Sequence, residues 1–408
     1  MPRRRASSPR RSATEWAVRG ALAVAAAGLG TVSILHSLAY MIRGSAPARA
    51  HALAPWDGRI TALLSEQLSG PAASPTDRKR ADDLARLALR QDATAVPAIA
   101  TLGINAQVRG DTAAAREIFV YSERLSRRDL RTRLWAIEDA VGRNDIPAAL
   151  RNYDIALRTS RVAPDLLFPV LASAISEADI RRGLVMTLAK RPPWGQLFIG
   201  YVAENGPDAR ATAAFMSGLQ QSGIPQPDGS AAALMARLLA EGHVDDAWRY
   251  YAAITPGADR RRSRDPNFTA NRMTPFDWNP LGDSGIATTI QRGDRGGIFD
   301  FVAPSNLGGP LLRQTQMLPP GKYRIEGRSA GIDQPDATLP YWLLSCADGH
   351  EVGRVTIPAS ARMKGRFSGE FNVPAGCPTQ QLTLVAKPSD QISGVTGQIE
   401  SAQLTPVP

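Results

Sequence analysis

The stretches Gly110–Phe119 (GDTAAAREIF) and Asn144–Tyr153 (NDIPAALRNY) share one pattern of turn residue, small residue and aromatic residue. In both, Ala follows the turn residue by five positions and the aromatic residue follows it by nine, and the two copies lie 34 residues apart. Two further copies begin at Gly206 and Gly242, at a spacing of 36. A period of this size indicates helical hairpins that stack side by side. Residues 77–256 are therefore predicted to form a helical repeat region.

The pattern has a steric explanation. A small residue such as Ala115 lets the two helices of a repeat approach closely, while Phe119 fills the space between that repeat and the next. Gly110 and Asn144 tolerate the left-handed conformation that ends a helix. With this period and with Leu102-Gly103 in one copy, the stretch resembles tetratricopeptide-repeat proteins. The resemblance implies a right-handed α-solenoid whose concave face binds a peptide or a protein; a helical bundle without a groove is the alternative.

The chain begins with an arginine-rich tail, residues 1–19, and continues with the apolar run Gly20–Ile42. At 1.5 Å per residue this run covers the roughly 30 Å hydrocarbon core of a bilayer. Six arginines against Glu15 precede it, so the positive-inside rule keeps the N-terminus in the cytoplasm. We predict a single-pass anchor in a bacterial inner membrane, with the bulk of the chain periplasmic. The alternative is a signal peptide cleaved at Ala48-Arg49-Ala50, although the run exceeds the usual apolar core of such peptides.

A linker or short helix at 43–76 and a basic, flexible linker at 257–273 are expected on either side of the repeats. From Thr274 onward, short alternating runs are separated by Gly, Pro and Asp turns. Seven of these runs fit strands: Ile298–Val302, Leu311–Met317, Tyr323–Glu326, Tyr341–Cys346, Phe367–Val373, Leu382–Lys387 and Gln398–Leu404. Strands of this number and spacing predict an antiparallel β-sandwich over 274–408. The fold class is thus multidomain α + β.

Three phrases of the last third occur in a recognisable order. Phe276-Asp277-Trp278 precedes a long loop, Leu318–Tyr323 (LPPGKY) introduces a central strand, and Gly397-Gln398-Ile399 begins the closing strand. In this order the region resembles jelly-roll carbohydrate-binding and galactose-binding-like domains, which implies a jelly roll with a glycan as ligand. The resemblance transfers no site residue.

Side-chain chemistry gives its own set of candidates for contact with a glycan. Flat aromatic faces suit a pyranose ring, and charged side chains supply polar contacts. The candidates are Trp278, Tyr341, Trp342, Asp300, Arg313 and Arg328. For each aromatic residue the alternative is a place in the core, and for each charge it is a solvated face.

The cysteines Cys346 and Cys377 are the only two in the chain. In an exported domain such a pair predicts a disulfide, and His350 alone is too little to complete a zinc site with them. The sequence has no Gly-x-Ser-x-Gly elbow, no His-Glu-x-x-His and no Walker loop. We therefore expect a non-enzymatic protein without metal or cofactor.

The formal net charge of +10 has two sources. Half of it belongs to the first 19 residues, and no basic helix accompanies the remainder, so a nucleic-acid partner is not expected. The combined features suggest an envelope scaffold in exopolysaccharide biosynthesis or export, with a protein partner and a polysaccharide. A scaffold for secretion or division machinery without sugar binding is the alternative, and a membrane-bound glycan hydrolase is a third hypothesis.

Overall fold

The computed structural model describes residues 12–282, 285–293, 296–363 and 365–407. Most of the predicted basic tail, residues 1–11, lies outside them. The chain divides into two compact units, residues 1–164 and 165–408. Helices come first along the chain and strands follow, so the predicted order of an α part and a β part is confirmed. The finer domain bounds stay predictions.

Helices account for most of the described part of the first unit. Their bounds are α1 Ala13–Ile42, α2 Pro47–Leu53, α3 Gly58–Leu68, α4 Pro75–Gln91, α5 Val96–Val108, α6 Thr112–Leu125, α7 Leu130–Gly142 and α8 Ile146–Thr159. By length and composition α1 is apolar enough to cross a membrane, and none of its most apolar stretch is buried.

The predicted turn and packing positions of the first two repeats are found in the structure. Gly110 and Asn144 have φ of 84° and 56°, the left-handed conformation expected of them. Phe119 is 2% exposed and lies against Gly103, where a Cβ atom would stand 2.7 Å from its ring. The Phe119 ring also stacks on Trp135 of α7, with centroids 4.5 Å apart. A glycine in α5 therefore lets the α6 aromatic reach the next helix.

The last six helices end at Ile254. They are α9 Ala163–Ala174, α10 Ala178–Leu188, α11 Gly195–Asn205, α12 Ala209–Gln221, α13 Ser230–Ala240 and α14 Val244–Ile254. The later repeats keep their aromatic residues, since Phe215 and Tyr251 are both buried. Gly242 is left-handed at φ 80°, whereas Gly206 ends α11 at φ −57° and needs no glycine for its conformation.

Ten strands follow among the described residues: β1 Asn279–Pro280, β2 Ala287–Gly293, β3 Gly296–Ala303, β4 Gly309–Gln316, β5 Gly321–Ala330, β6 Tyr341–Cys346, β7 Glu351–Thr356, β8 Gly365–Val373, β9 Gln380–Ala386 and β10 Val395–Pro406. They form two antiparallel sheets: sheet 1, in the order β1-β4-β9-β6-β7, and sheet 2, in the order β2-β3-β10-β5-β8. All seven predicted strands coincide with observed ones. The jelly-roll assignment stays a prediction.

One hydrophobic core contains side chains from both sheets. Trp342 and Leu344 of sheet 1 and Phe299 and Phe301 of sheet 2 belong to it, each at most 2% exposed. The predicted disulfide is confirmed at the edge of this core: Cys346 and Cys377 are bonded, with Cα atoms 5.5 Å apart.

The segment 257–273 is not the flexible linker that its arginines predicted. Arg264 is 7% exposed and Phe268 is fully buried. The backbone N–H of Ser263 donates to the carbonyl of Leu404 at 3.0 Å, and that of Gly297 donates to Asn267 at 2.7 Å. The segment is therefore fastened to strands of sheet 2, and the prediction fails because buried partners, which composition does not reveal, hold it.

Tyr250 in α14 should ionise only at an unusually high pH. It is 3% exposed, and burial raises its pKa to about 12, while its hydroxyl donates to Gln226 Oε1 at 2.8 Å. A phenol with a raised folded pKa stabilises the folded state below pH 10 and loses that contribution as pH rises to 12. We expect the free energy of unfolding, relative to Tyr250→Phe, to fall by about 2–3 kcal/mol over this window. Denaturant titrations of both proteins at several alkaline pH values measure it; a constant difference would contradict it.

Candidate functional site

The outer surface of sheet 1 is the first candidate site. Side chains alternate along a strand, so β6 directs Trp342 and Leu344 into the core and Tyr341, Leu343 and Ser345 outward. The register of the neighbouring strands brings further outward side chains beside these three. They are Val385 and Thr356 beside Tyr341, Thr383 and Arg354 beside Leu343, Gln381 and Glu351 beside Ser345, and Arg313 beside Thr383. We call this set of residues, together with Lys387, which follows β9 and lies against Tyr341, the sheet 1 outer face.

Tyr341 lies next to two cations on this face. The guanidinium carbon of Arg354 is 4.9 Å from the centroid of its ring, and Lys387 Nζ is 5.5 Å from it. Cations at these distances are attracted by the π system of the ring, by about 0.5–1 kcal/mol at an exposed site. Lys387 also donates to the carbonyl of Ala337 at 3.1 Å. The partly exposed ring therefore holds two positive charges at the surface of sheet 1.

The charge of this face is predominantly positive. Arg354 donates twice to the carboxylate of Glu351, at 2.7 Å each, and this hydrogen bonding lowers the pKa of Glu351. The side chain of Arg313 is exposed and makes no hydrogen bond or ion pair with the described residues. Arg313 and Lys387 thus add positive charge that no described carboxylate neutralises, while Gln381 and the neighbouring hydroxyls can exchange hydrogen bonds with a polar ligand.

Two of the predicted contact residues are core residues. Trp342 is fully buried and Trp278 is 2% exposed, and their ring centroids lie 5.6 Å apart between the sheets. Neither presents a ring face to a ligand, which corrects their assignment as stacking platforms. The physical reason is that each fills the space between two sheets, where a large apolar ring contributes most to stability.

The remaining predicted residues fall on two opposite surfaces. Tyr341 and Arg313 share the sheet 1 outer face, but Asp300 and Arg328 lie on the outer surface of sheet 2. There Asp300 accepts a hydrogen bond from Gln398 Nε2 at 2.6 Å, and Arg328 Nε is 3.8 Å from Glu400. The structure therefore does not bring the six together. Arg354 and Lys387, which sequence reasoning missed, join Tyr341 only through the register of β7 and β9.

A groove of 660 Å³ between α12 and α14 is a second candidate site. Small side chains line it at Ala213, Ala214 and Ala253. At one rim Asp246 accepts hydrogen bonds from Arg210 at 2.9 Å and Arg249 at 2.6 Å. The groove offers an alanine-lined floor with a charged edge.

No group of three or more His, Cys, Asp or Glu side chains that could hold a metal ion occurs in the part of the chain that the structure describes.

No protein-family model matches the chain, and neither does any curated protein. Among solved structures it is similar to TmCBM61 in complex with beta-1,4-galactotriose, at 16% identity over 32% of this chain and 88% of that one, with a TM-score of 0.25. It is also similar to a CBM4 structure, at 13% identity over 36% of this chain and 99% of that one, with a TM-score of 0.27. A third similar structure is the enzymatically active domain of bacteriophage CBA120 tailspike protein 4. The identity is 13% over 33% of this chain and 20% of that one, and the TM-score is 0.26. These TM-scores do not define a shared fold, and the two sheets are assigned from strand pairing within this chain.

Proposed function

We propose that this protein is a non-enzymatic scaffold, anchored in the bacterial inner membrane by α1, whose helices bind a protein partner and whose sheet 1 outer face binds a glycan. Exopolysaccharide biosynthesis or export suits such a combination. The observation that carries the glycan part is the arrangement of Tyr341 with Arg354 and Lys387, a ring and two cations within 5.5 Å of it.

The charge of the face favours an acidic glycan over a neutral one. Guanidinium groups match the geometry of a carboxylate. Arg313 and Lys387, which no described carboxylate pairs, lie on one surface with a single aromatic ring, whereas Arg354 is paired with Glu351. Each of these contacts alone is exposed and contributes little, but a polysaccharide repeats its carboxylates and engages Arg313 and Lys387 at once. We therefore assign the sheet 1 outer face to a uronate-containing polymer.

The packing at the end of α1 favours a retained anchor over a cleaved signal peptide. Ala39 of α1 is fully buried, in one cluster with Ala50, Ala54 and Ile60. Cleavage after Ala50 would cut α2 in its middle and remove Ala39 from this cluster. A segment that completes the core of the following helices is better explained as part of the mature protein.

The helices support a protein partner through their groove and their repeat pattern. The spacing of the α6 and α8 turns, and their left-handed Gly110 and Asn144, agree with a tetratricopeptide-type solenoid. The rim of the groove between α12 and α14 carries Arg210 and Arg249 against the single carboxylate of Asp246, which suits an extended peptide with acidic and apolar side chains. A scaffold without glycan affinity would use this groove alone.

Affinity electrophoresis of the full-length protein in detergent tests the glycan part. We expect polygalacturonate, an acidic polymer, to retard the protein relative to a gel without polysaccharide, and neutral dextran to leave it unretarded. Tyr341→Ala should weaken the affinity about tenfold, because the lost ring contact contributes about 1–1.5 kcal/mol. The double variant Arg313→Glu/Lys387→Glu should abolish the retardation.

The matched control carries the same charge change on the other sheet. Arg328→Glu/Arg366→Glu alters the outer surface of sheet 2 and should retain the binding of wild type. If this variant loses retardation and Arg313→Glu/Lys387→Glu keeps it, the glycan site lies on sheet 2. If folded wild-type protein is retarded by neither polymer, the scaffold without sugar binding replaces the proposal.

A further inference from the structure

Helix α2 turns back along α1 instead of leading away from it. The buried cluster of Ala39, Ala50 and Ala54 joins the last turns of α1 to α2. Beyond α2, Asp57 Oδ2 lies 3.8 Å from His36 Nε2. His36 precedes Ile42, the last residue of α1, by six positions, which correspond to about 9 Å of helix. The turn that holds Asp57 therefore lies beside the interior of the predicted membrane span.

The residue next to Asp57 in this turn is an exposed tryptophan. Trp56 is 50% exposed although it lies in an ordered turn. The backbone N–H of Asp57 donates to Ala54 at 3.2 Å, and its side chain accepts from the N–H groups of Arg59 and Ile60 at the start of α3. These bonds fix the turn, so the surrounding backbone holds Trp56 in an exposed position next to Asp57.

The other exposed tryptophan, Trp16, precedes His36 along α1 by about one thickness of the hydrocarbon core. Trp16, near the start of α1, is 63% exposed. From Trp16 to His36 the helix rises about 30 Å, the thickness of the hydrocarbon core. The exposed large apolar side chains between them are Val18, Leu22, Val24, Leu29, Val32 and Ile34. Tryptophan collects at both membrane–water interfaces, so the two residues stand where an aromatic belt is expected.

We propose that the turn 54–57 is a second membrane contact, with Trp56 in the headgroup region of the outer leaflet. The span then ends near His36, not at Ile42, and the segment after α1, predicted as a linker or short helix, contains the helix α2. Since α1 packs against α2 in a buried cluster that also contains Ile60 of α3, the first unit stands directly on the bilayer. This inference rests on the proposed anchoring by α1.

Quenching by brominated lipids tests this contact in the full-length protein. The other five tryptophans are at most 9% exposed, so lipid-borne bromine reports on Trp16 and Trp56. The protein is reconstituted in phosphatidylcholine vesicles brominated near the carbonyl end or near the methyl end of the acyl chain. The variants are Trp16→Phe, Trp56→Phe and the double variant, compared with vesicles of unbrominated lipid.

We expect Trp16→Phe to retain quenching that is stronger with bromine near the carbonyl end, and the double variant to lose it. If Trp16→Phe is quenched no more than the double variant while Trp56→Phe is still quenched, the anchor stands and the Trp56 contact is overturned. If Trp56→Phe is not quenched either, and the protein does not float with the vesicles, the anchor proposal fails and the contact fails with it.

Discussion

Replacing Arg264 with methionine is expected to lower the free energy of unfolding by about 3–5 kcal/mol. The guanidinium donates to the carbonyl of Phe276 through Nε at 3.0 Å and Nη2 at 2.9 Å, and to Gln316 Oε1 at 2.8 Å. It also donates to the carbonyl of Thr315. Methionine fills similar space but leaves these buried acceptors, and the 2% exposed Asp277, without the cation. Urea unfolding followed by far-ultraviolet circular dichroism measures the loss.

The expected loss of unfolding free energy in Arg264→Met arises because the charge of Arg264 is buried. Burial lowers the pKa of Arg264 to about 10, so the group is still charged at neutral pH. Asp277, which accepts from Tyr251 at 2.8 Å and from Thr274, supplies the nearby negative charge. Removing the buried cation leaves its hydrogen-bond acceptors unsatisfied and the nearby charge of Asp277 uncompensated, which costs more than these interactions contribute in the folded protein.

Arg262→Met is the matched control, two residues away. Its guanidinium is exposed and lies 3.6 Å from Asp259, an arrangement that contributes at most about 1 kcal/mol. Arg264→Lys should lie between the two, because lysine keeps the charge but lacks the planar fork. An unfolding midpoint of Arg264→Met equal to that of Arg262→Met would show that the buried guanidinium does not hold the segment to the sheets.

Strands could be predicted from the sequence where one of their faces is buried. Strands with both faces exposed to solvent could not. Residues 298–302 alternate clearly because Phe299 and Phe301 face the core. The three missed strands, β1, β2 and β7, lie at sheet edges and bury at most one side chain each, so their sequences carry little of this alternation. Their existence depends on pairing with β4, β3 and β6, respectively, which is a property of the whole fold.

The candidate site was predictable only in part, for the same reason. Neighbours in a strand face opposite sides, so Tyr341 and Trp342 could not both contact one ligand. The face shared by Trp342, Leu344 and Cys346 is the more apolar one and is the buried one. Arg354 lies in a missed strand, and its place beside Tyr341 follows from register, which a single sequence does not fix.

Arg264 shows that amino-acid composition does not predict which charged residue is buried. Four arginines between 260 and 264 look alike as a basic run, and a solvated linker is the usual outcome of such a run. Only Arg264 finds Gln316 and three backbone carbonyls within reach. Because these partners come from residues up to 52 positions away, the sequence offers no local signal that distinguishes it.

Trp342→Ala should destabilise the protein by about 3–5 kcal/mol, the cost of removing a buried indole and leaving a cavity. The side chain is fully buried between the sheets, 5.6 Å from the ring of Trp278 and 6.3 Å from that of Phe367. Tyr341→Ala, one residue away, should cost about 1 kcal/mol or less, because the ring is partly exposed. Urea unfolding of both variants measures the contrast.

Trp342→Phe separates the volume of the side chain from its polarity. Trp342 Nε1 is buried and has no hydrogen-bond partner in the described residues, and an unsatisfied donor of this kind costs about 1–3 kcal/mol. Phenylalanine removes this donor together with some apolar volume, so the two effects offset each other and we expect a loss below about 1.5 kcal/mol. A loss as large as that of alanine would contradict this offset, and with it the unsatisfied state of Nε1. In either case a binding defect of Trp342→Ala would report unfolding, and Tyr341→Ala is the variant that isolates the glycan contact.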